Sequence, residues 1–262
     1  MANLFINHNQ AKQYAESRPS YPDQLFQFIS SMTPSHDFAW DVATGSGQAA
    51  RSLAEIYKNV VATDTSPTQL ENAPKLPNIR YQHTPPIMST AELEQKVAAE
   101  SSVDLVTVAQ ALHWFDLPKF YQQVKWVLKK PYGVFAAWCY TMPEVNDAVD
   151  DLIRRFYENP YRDPRRRMVD DKYSSVDFPF EAVERAGGTG PFEFVTERVM
   201  GYDEYMTYLR SLSMYQKAKD NGVELLTADV VEDFRRAWNV DCGNGQKLVK
   251  FPVFLRIGKV EK

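Results

Sequence analysis

The chain has 262 residues, about 1.7 times a typical 150-residue domain, so it can hold one large α/β domain with an appended lobe or two small domains, and a mini-domain is excluded. Hydrophobic residues make up 44% and charged residues 24%, with 11 Gly and 16 Pro, which excludes collagen-like, low-complexity and disordered chains. Thirty basic against 34 acidic residues leave a net charge of -4, which provides no global field for nucleic acid or for an anionic membrane, so neither is an expected partner.

In chain order, the opening MANLFINHNQ has neither a basic n-region nor an apolar h-region, and no run of 18 apolar residues occurs anywhere, so the expected location is cytoplasmic. A helix over AKQYAES precedes the sheet. From residue 37 to 140, short apolar runs alternate with helix-period segments, the pattern of successive βα units on a parallel sheet. The predicted strands are 38–44, 60–63, 79–82, 103–109 and 134–138. Helix stripes run through Ala49, Leu53 and Ile56, and through Leu117, Phe120, Val124, Val127 and Leu128. After Tyr140, a helix marked by Val145, Val149, Leu152 and Phe156 leads into an irregular insertion, 159–190, rich in Pro, Arg and Gly. A sixth strand is expected over 192–199. Two helices then carry stripes at Tyr205, Leu209 and Leu212, and at Val230, Phe234, Ala237 and Trp238. The seventh strand is 248–257, where Pro252 suits an edge or a bulge.

The expected architecture is therefore one α/β domain built on an open, seven-stranded, mostly parallel sheet with helices on both faces. Its core spans about 36–141, 191–201 and 246–260, with a helical lid from 1–30, 142–190 and 202–245. Ligand chemistry belongs at the carboxyl ends of the strands. The two cysteines, Cys139 and Cys242, suit neither a disulfide framework nor a metal site.

The sharpest local pattern is Asp41-Val-Ala-Thr44-Gly45-Ser-Gly47-Gln-Ala-Ala50, where strand one turns into a helix. Two glycines let the backbone approach a ligand, and the helix N-terminus offers free N–H groups. The spacing also satisfies the dinucleotide fingerprint, so alone it does not separate NAD from other nucleoside cofactors, and a plain glycine turn remains open. Asp64, followed by Thr65, ends strand two 19 residues after Gly45, where a carboxylate can accept from both hydroxyls of a ribose. An Asx turn at Asp64, with Ser66 capping the next helix and Pro67 opening it, is the structural alternative. Asp41 weighs against a pyrophosphate and for a cationic cofactor such as S-adenosylmethionine, unless it is a buried Asp satisfied by backbone N–H groups.

The strings LFINHNQAKQYAESRPSYP, DVATGSGQAA, ATDTSPTQL, SVDLVTVAQALHWFDLPKFYQQVKWVLKKP and AAWCYTMPEVN resemble the plant class I S-adenosylmethionine-dependent methyltransferases related to yeast trans-aconitate methyltransferase. The resemblance covers nearly the whole chain and is weakest over 159–190. It implies a Rossmann-like class I methyltransferase fold and S-adenosylmethionine as cofactor, with S-adenosylhomocysteine as product. By the same resemblance Asp41, Thr44 and Gly45 line the donor's methionine end, Asp64 holds its ribose, and Ala109 and Gln110 lie beside it after strand four; Gly47 and Thr65 complete the expected cofactor-binding set. The resemblance also implies that the N-terminal segment closes over the donor, with Arg18 pairing with its carboxylate and Tyr14 contacting it; a surface Arg and a packed Tyr are the structural alternatives. One departure is Ala43, where relatives usually carry Gly; a β-carbon there narrows the approach or strains a positive φ.

Methyl transfer is an in-line displacement at a sulfonium, so a base is needed only for a protonated nucleophile. His113, just past strand four, is the candidate base, or else a histidine bonded into the loop that orients Trp114. Phe115 either packs on a ligand or staples the helix that starts after Asp116. The acceptor pocket is expected between Trp114, Trp138, Tyr140 and the lid residues Tyr205, Tyr208, Leu209 and Leu212, whose stripe is too wide for one helix face. Arg162, Arg165, Arg166 and Arg167 either receive an anionic substrate or form a loop balanced by Asp163, Asp170 and Asp171. The expected activity is O-methylation of a small plant metabolite bearing an enol, phenol or carboxylate, with N-methylation of a small amine, an NAD-dependent oxidoreductase and a non-catalytic nucleoside-binding protein as alternatives. A monomer or homodimer is expected.

Overall fold

A computed structural model of the chain describes residues 19–240 and 245–261. In chain order the elements are α1 (Asp23–Met32), β1 (Phe38–Val42), α2 (Gln48–Ala54), β2 (Asn59–Asp64), α3 (Pro67–Glu71), β3 (Ile79–His83) and α4 (Thr90–Lys96). They continue with β4 (Leu105–Ala109), α5 (Leu117–Val127), β5 (Val134–Tyr140), α6 (Asp147–Tyr157) and α7 (Arg167–Asp170). The last are β6 (Phe192–Gly201), α8 (Tyr202–Arg210), α9 (Ser213–Asp220), α10 (Ala228–Trp238) and β7 (Gln246–Lys259). Single 3-10 turns cover Leu112–Trp114 and Pro164–Arg166.

The seven strands form one sheet in the order β3-β2-β1-β4-β5-β7-β6. The first five are parallel, and β7 runs antiparallel to both β5 and β6. The order reverses between β1 and β4, which puts the ligand crevice at their carboxyl ends. Local chemistry explains the helix starts. Ser66 caps α3 with Pro67 in its first turn, Ser89 and Glu92 form a capping box on α4, and Asn146 caps α6.

Strand β5 is buried throughout, and its alternation feeds two cores. Ala136, Trp138 and Tyr140 meet α1, α2, α6 and α8 to α10, while Phe135, Ala137 and Cys139 meet α4, α5 and the 169–180 segment. The Arg- and Pro-rich insertion is thus partly core: Val169, Tyr173, Val176, Phe178 and Phe180 cover the second face of the sheet, with Phe178 stacked 5.5 Å from Phe135.

Three expectations need correction. Strand β1 stops at Val42 because Ala43 turns to a φ of +53°. The helical stretch after β6 divides into α8 and α9, since Leu212 is extended (φ −67°, ψ 137°). Pro252 lies on an interior strand, at neither an edge nor a bulge. It falls where β7 outruns β5, and its carbonyl accepts from the Thr141 N–H at 3.1 Å.

Candidate functional site

The turn from β1 to α2 is held by bonds to β2. The Thr44 N–H donates to the Thr63 carbonyl and the Gly45 N–H to Asp64 Oδ2, each at 2.9 Å. Gly45 has a φ of +58°, and a β-carbon there would meet nothing within 4 Å, so open space begins at its α-carbon. Gly47 has a φ of +82°, and a β-carbon there would lie 2.6 Å from the Tyr81 hydroxyl oxygen, so only glycine fits. Ala43, with the same sign of φ, carries strain of about 1–2 kcal/mol that a glycine would not.

Asp41 is fully buried, and its two oxygens accept from the Thr44 and Thr107 hydroxyls, each at 2.6 Å. These hydroxyls satisfy it together with the Ala50 backbone N–H, so the backbone donors considered from sequence contribute only part of its partners. Burial pushes its carboxyl up to about 6, against the lowering effect of the two hydroxyl bonds. Asp64 combines two roles: Oδ1 closes an Asx turn with the Ser66 N–H at 2.8 Å, and Oδ2 ties the glycine turn. Burial raises its pKa as well.

At the end of β4, Ala109 is partly buried and Gln110 takes a φ of +56°. The Gln110 carboxamide forms an extra rung to β5, donating from Nε2 to the Tyr140 carbonyl (3.1 Å) and accepting at Oε1 from the Tyr140 N–H (2.9 Å). His113 is only 2% exposed, and its Nδ1 lies 3.0 Å from the Tyr173 hydroxyl. Burial, reinforced by the nearby Arg166 and Arg165 cations, pushes its pKa down to about 3. The imidazole is therefore neutral, and it holds the loop to the insertion. Trp114 packs beneath the Arg165 guanidinium, 4.4 Å from the ring centroid. Phe115 stacks on Phe120 at 4.3 Å, which is the staple across the start of α5.

A partly open cavity lies beside these residues, lined among others by Trp40, Ala43, Asp64, Thr65, Phe115 and Phe120. Sequence reasoning missed the rest of its wall, the 84–88 segment after β3 and Gln123 on α5. The Thr84-Pro85-Pro86 run at a strand's carboxyl end was the available signal.

Six of the seven residues expected to wall the acceptor pocket are packed in the core. Trp138, Tyr205, Tyr208 and Leu209 are fully buried, Tyr140 is 3% and Leu212 5% exposed, and all six belong to one core. The reason is that α8 lies between two partners. Tyr208 packs on Phe251 of β7 at 5.4 Å and Tyr205 on Trp238 of α10 at 5.1 Å, so the wide stripe meets protein on both sides. Arg162 pairs with Asp170, and Arg165 with Asp163 at 2.8 Å, as the balanced-loop alternative requires. Half-buried Arg166 has no salt-bridge partner among the described residues. Tyr14, Arg18 and Cys242 lie outside the described residues. Among the described residues, no helix is long and apolar enough to cross a membrane.

Residues 40–137 match a family described as "Methyltransferase domain". The chain is 33% identical over 260 residues to a protein of Dictyostelium discoideum named "Putative methyltransferase", covering 96% of this chain and 93% of that one. It is 32% identical over 157 residues to a Saccharomyces cerevisiae protein named "Probable S-adenosylmethionine-dependent methyltransferase", covering 56% of this chain and about half (52%) of that one. Among solved structures it is similar to one from Anaeromyxobacter dehalogenans titled "Putative Type II Methyltransferase", with a TM-score of 0.77, 29% identity, and coverage of 94% of this chain and 99% of that chain.

Proposed function

This chain belongs to the S-adenosylmethionine-dependent methyltransferases, and on that premise we propose that it methylates an oxygen of a small molecule whose nucleophile reaches the site already ionised. The observation that carries this reading is His113, neutral, buried and bonded to Tyr173, with its pKa pushed down to about 3. Against a phenol of pKa near 10, proton transfer to such a base is uphill by roughly 10 kcal/mol. A carboxylate needs no base, and Arg166, whose positive charge already bears on His113, offers a counter-charge for one. Small carboxylic acids thus come before enols and phenols as acceptors.

The chain's own residues suit the donor. Open space at Gly45 admits a ligand to the backbone, Asp64 and Thr65 offer ribose acceptors beside an apolar cavity, and buried Asp41 supplies negative potential near the turn. Ala109 and Gln110 are proposed to lie beside the donor after β4, with the Gln110 amide committed to holding β4 against β5. When bound, the donor supplies an electrophilic methyl on a sulfonium, and its transfer to the acceptor oxygen leaves a neutral thioether. The work left to the protein is alignment and exclusion of water. Family membership sets aside the NAD-dependent alternative, which shares the glycine turn but leaves Asp41 unexplained.

The test is transfer of labelled methyl from S-adenosylmethionine to a panel of carboxylic acids, enols, phenols and amines, begun with plant metabolites because of the sequence resemblance. The expected product is an ester that releases its label in mild alkali, formed at a rate nearly flat between about pH 6 and 9. Label appearing only on amines, with a rate rising toward the amine pKa, would overturn the reading.

A further inference from the structure

The cavity beside Asp64 is closed on its α5 side by Gln123. Its wall there is otherwise apolar, made by Phe115, Phe120, Met88, Pro85 and Pro86. Gln123 is fixed in orientation, because its Nε2 lies 2.5 Å from the Met88 carbonyl and a carbonyl can only accept. The amide's other end, Oε1, therefore points away from Met88 and takes no hydrogen bond among the described residues. Asp64 and Thr63, two of the cavity's other polar side chains, already have partners within the protein. Both Asp64 oxygens accept backbone N–H groups, and Thr63 Oγ1 accepts from Trp40 Nε1 at 3.0 Å. A flat heteroaromatic ring with one exocyclic amine suits this enclosure, its faces against aromatic and proline carbons and its amine against a lone amide oxygen.

We propose that Gln123 determines nucleobase specificity on the donor, its Oε1 accepting a hydrogen bond from the 6-amino group of adenine. The proposal rests on the cavity being the nucleoside end of the donor site. Gln123 acts from a helix held in register by its own bond to the 84–88 segment, so the acceptor is preorganised and a ligand without the amine leaves it unpaired.

The test is calorimetric titration of the full chain with S-adenosylhomocysteine and with the analogue whose purine lacks the 6-amino group. Wild type is expected to favour S-adenosylhomocysteine by about 10-fold or more. In Gln123→Met, which keeps the length and loses the acceptor, the preference should fall to about 3-fold or less, with affinity for the analogue little changed. Equal binding of the two ligands by wild type, a measurement that needs no variant, would overturn the proposal. So would a preference that survives in Gln123→Met, or an equal loss of both ligands there, which marks a structural brace. If wild type binds neither ligand, the reading of the cavity as a donor site fails, and the proposal falls with it.

Discussion

Asp41 and His113 sit at the carboxyl ends of β1 and β4, where burial penalises the charged form of each. The consequences for stability run in opposite directions. Asp41, raised to about 6, favours folding as pH falls from 6 toward the unfolded carboxyl value near 3.8. His113, lowered to about 3, keeps its proton off in the folded state while the unfolded histidine gains one below pH 6.5, so it removes stability as pH falls through 6.5 toward 3. At pH 5 this loss amounts to about 2 kcal/mol. Replacing the imidazole by a group that does not titrate, His113→Gln, should therefore flatten the acid side of the stability curve. Urea denaturation at pH 7 and pH 5 is expected to show wild type losing about 2 kcal/mol more than the variant over that interval. Equal losses would mean that His113 is not held neutral. The position of His113 after strand four was legible in the sequence, but its chemistry was not, because the Tyr173 hydroxyl and the two arginines come from an insertion 50 or more residues away.

The insertion is the element whose sequence reads least like its structure. It has no sustained periodicity, yet it supplies core on one face of the sheet and a partner for the loop after β4. Arg256 of β7 secures it. Its guanidinium donates to the Tyr173 carbonyl at 2.7 Å and to the Thr189 carbonyl at 3.1 Å, with the side chain buried over Phe178. Arg256→Met keeps much of the bulk but removes the charged donor, leaving the Tyr173 carbonyl only the Val176 N–H (3.3 Å) and the Thr189 carbonyl only the Ile257 N–H (3.1 Å), a loss of about 3 kcal/mol for the two bonds to the guanidinium. Thermal denaturation should show a fall in Tm of roughly 9 °C, and limited proteolysis should cut faster within 159–190. An unchanged Tm would show that water replaces the arginine without cost. The βα units from β1 to β5 were legible because apolar alternation and helical stripes are local signals. The break between α8 and α9 was not, since Arg210-Ser-Leu-Ser213 contains neither Gly nor Pro and the turn is closed by bonds such as Ser211 Oγ to the Tyr208 carbonyl.

Across the whole molecule, a ligand that binds only the folded state raises its stability by mass action. S-adenosylhomocysteine at 100 times its Kd should add about 2.7 kcal/mol, which is a rise in Tm of roughly 5–10 °C for a chain of this size. NADH at the same concentration should leave Tm unchanged, and an equal rise with NADH would contradict the cofactor assignment. The aromatic residues, 13% of the chain, show how far composition carries an argument. They suggested an aromatic acceptor pocket, but Trp138, Tyr205 and Tyr208 fill the core between the sheet, α8 and α10. What the sequence by itself determined was the order of strands and helices and the glycine turn with Asp41 and Asp64 beside it, because each is written in short-range spacing; the class of cofactor came from the charge of Asp41 and the family resemblance, since the spacing fits a dinucleotide as well. Which buried rings face a cavity and which face another helix, how His113 is held, and where Gln123 points were decided only by the tertiary structure. Those outcomes depend on residues that the fold brings together from distant parts of the chain.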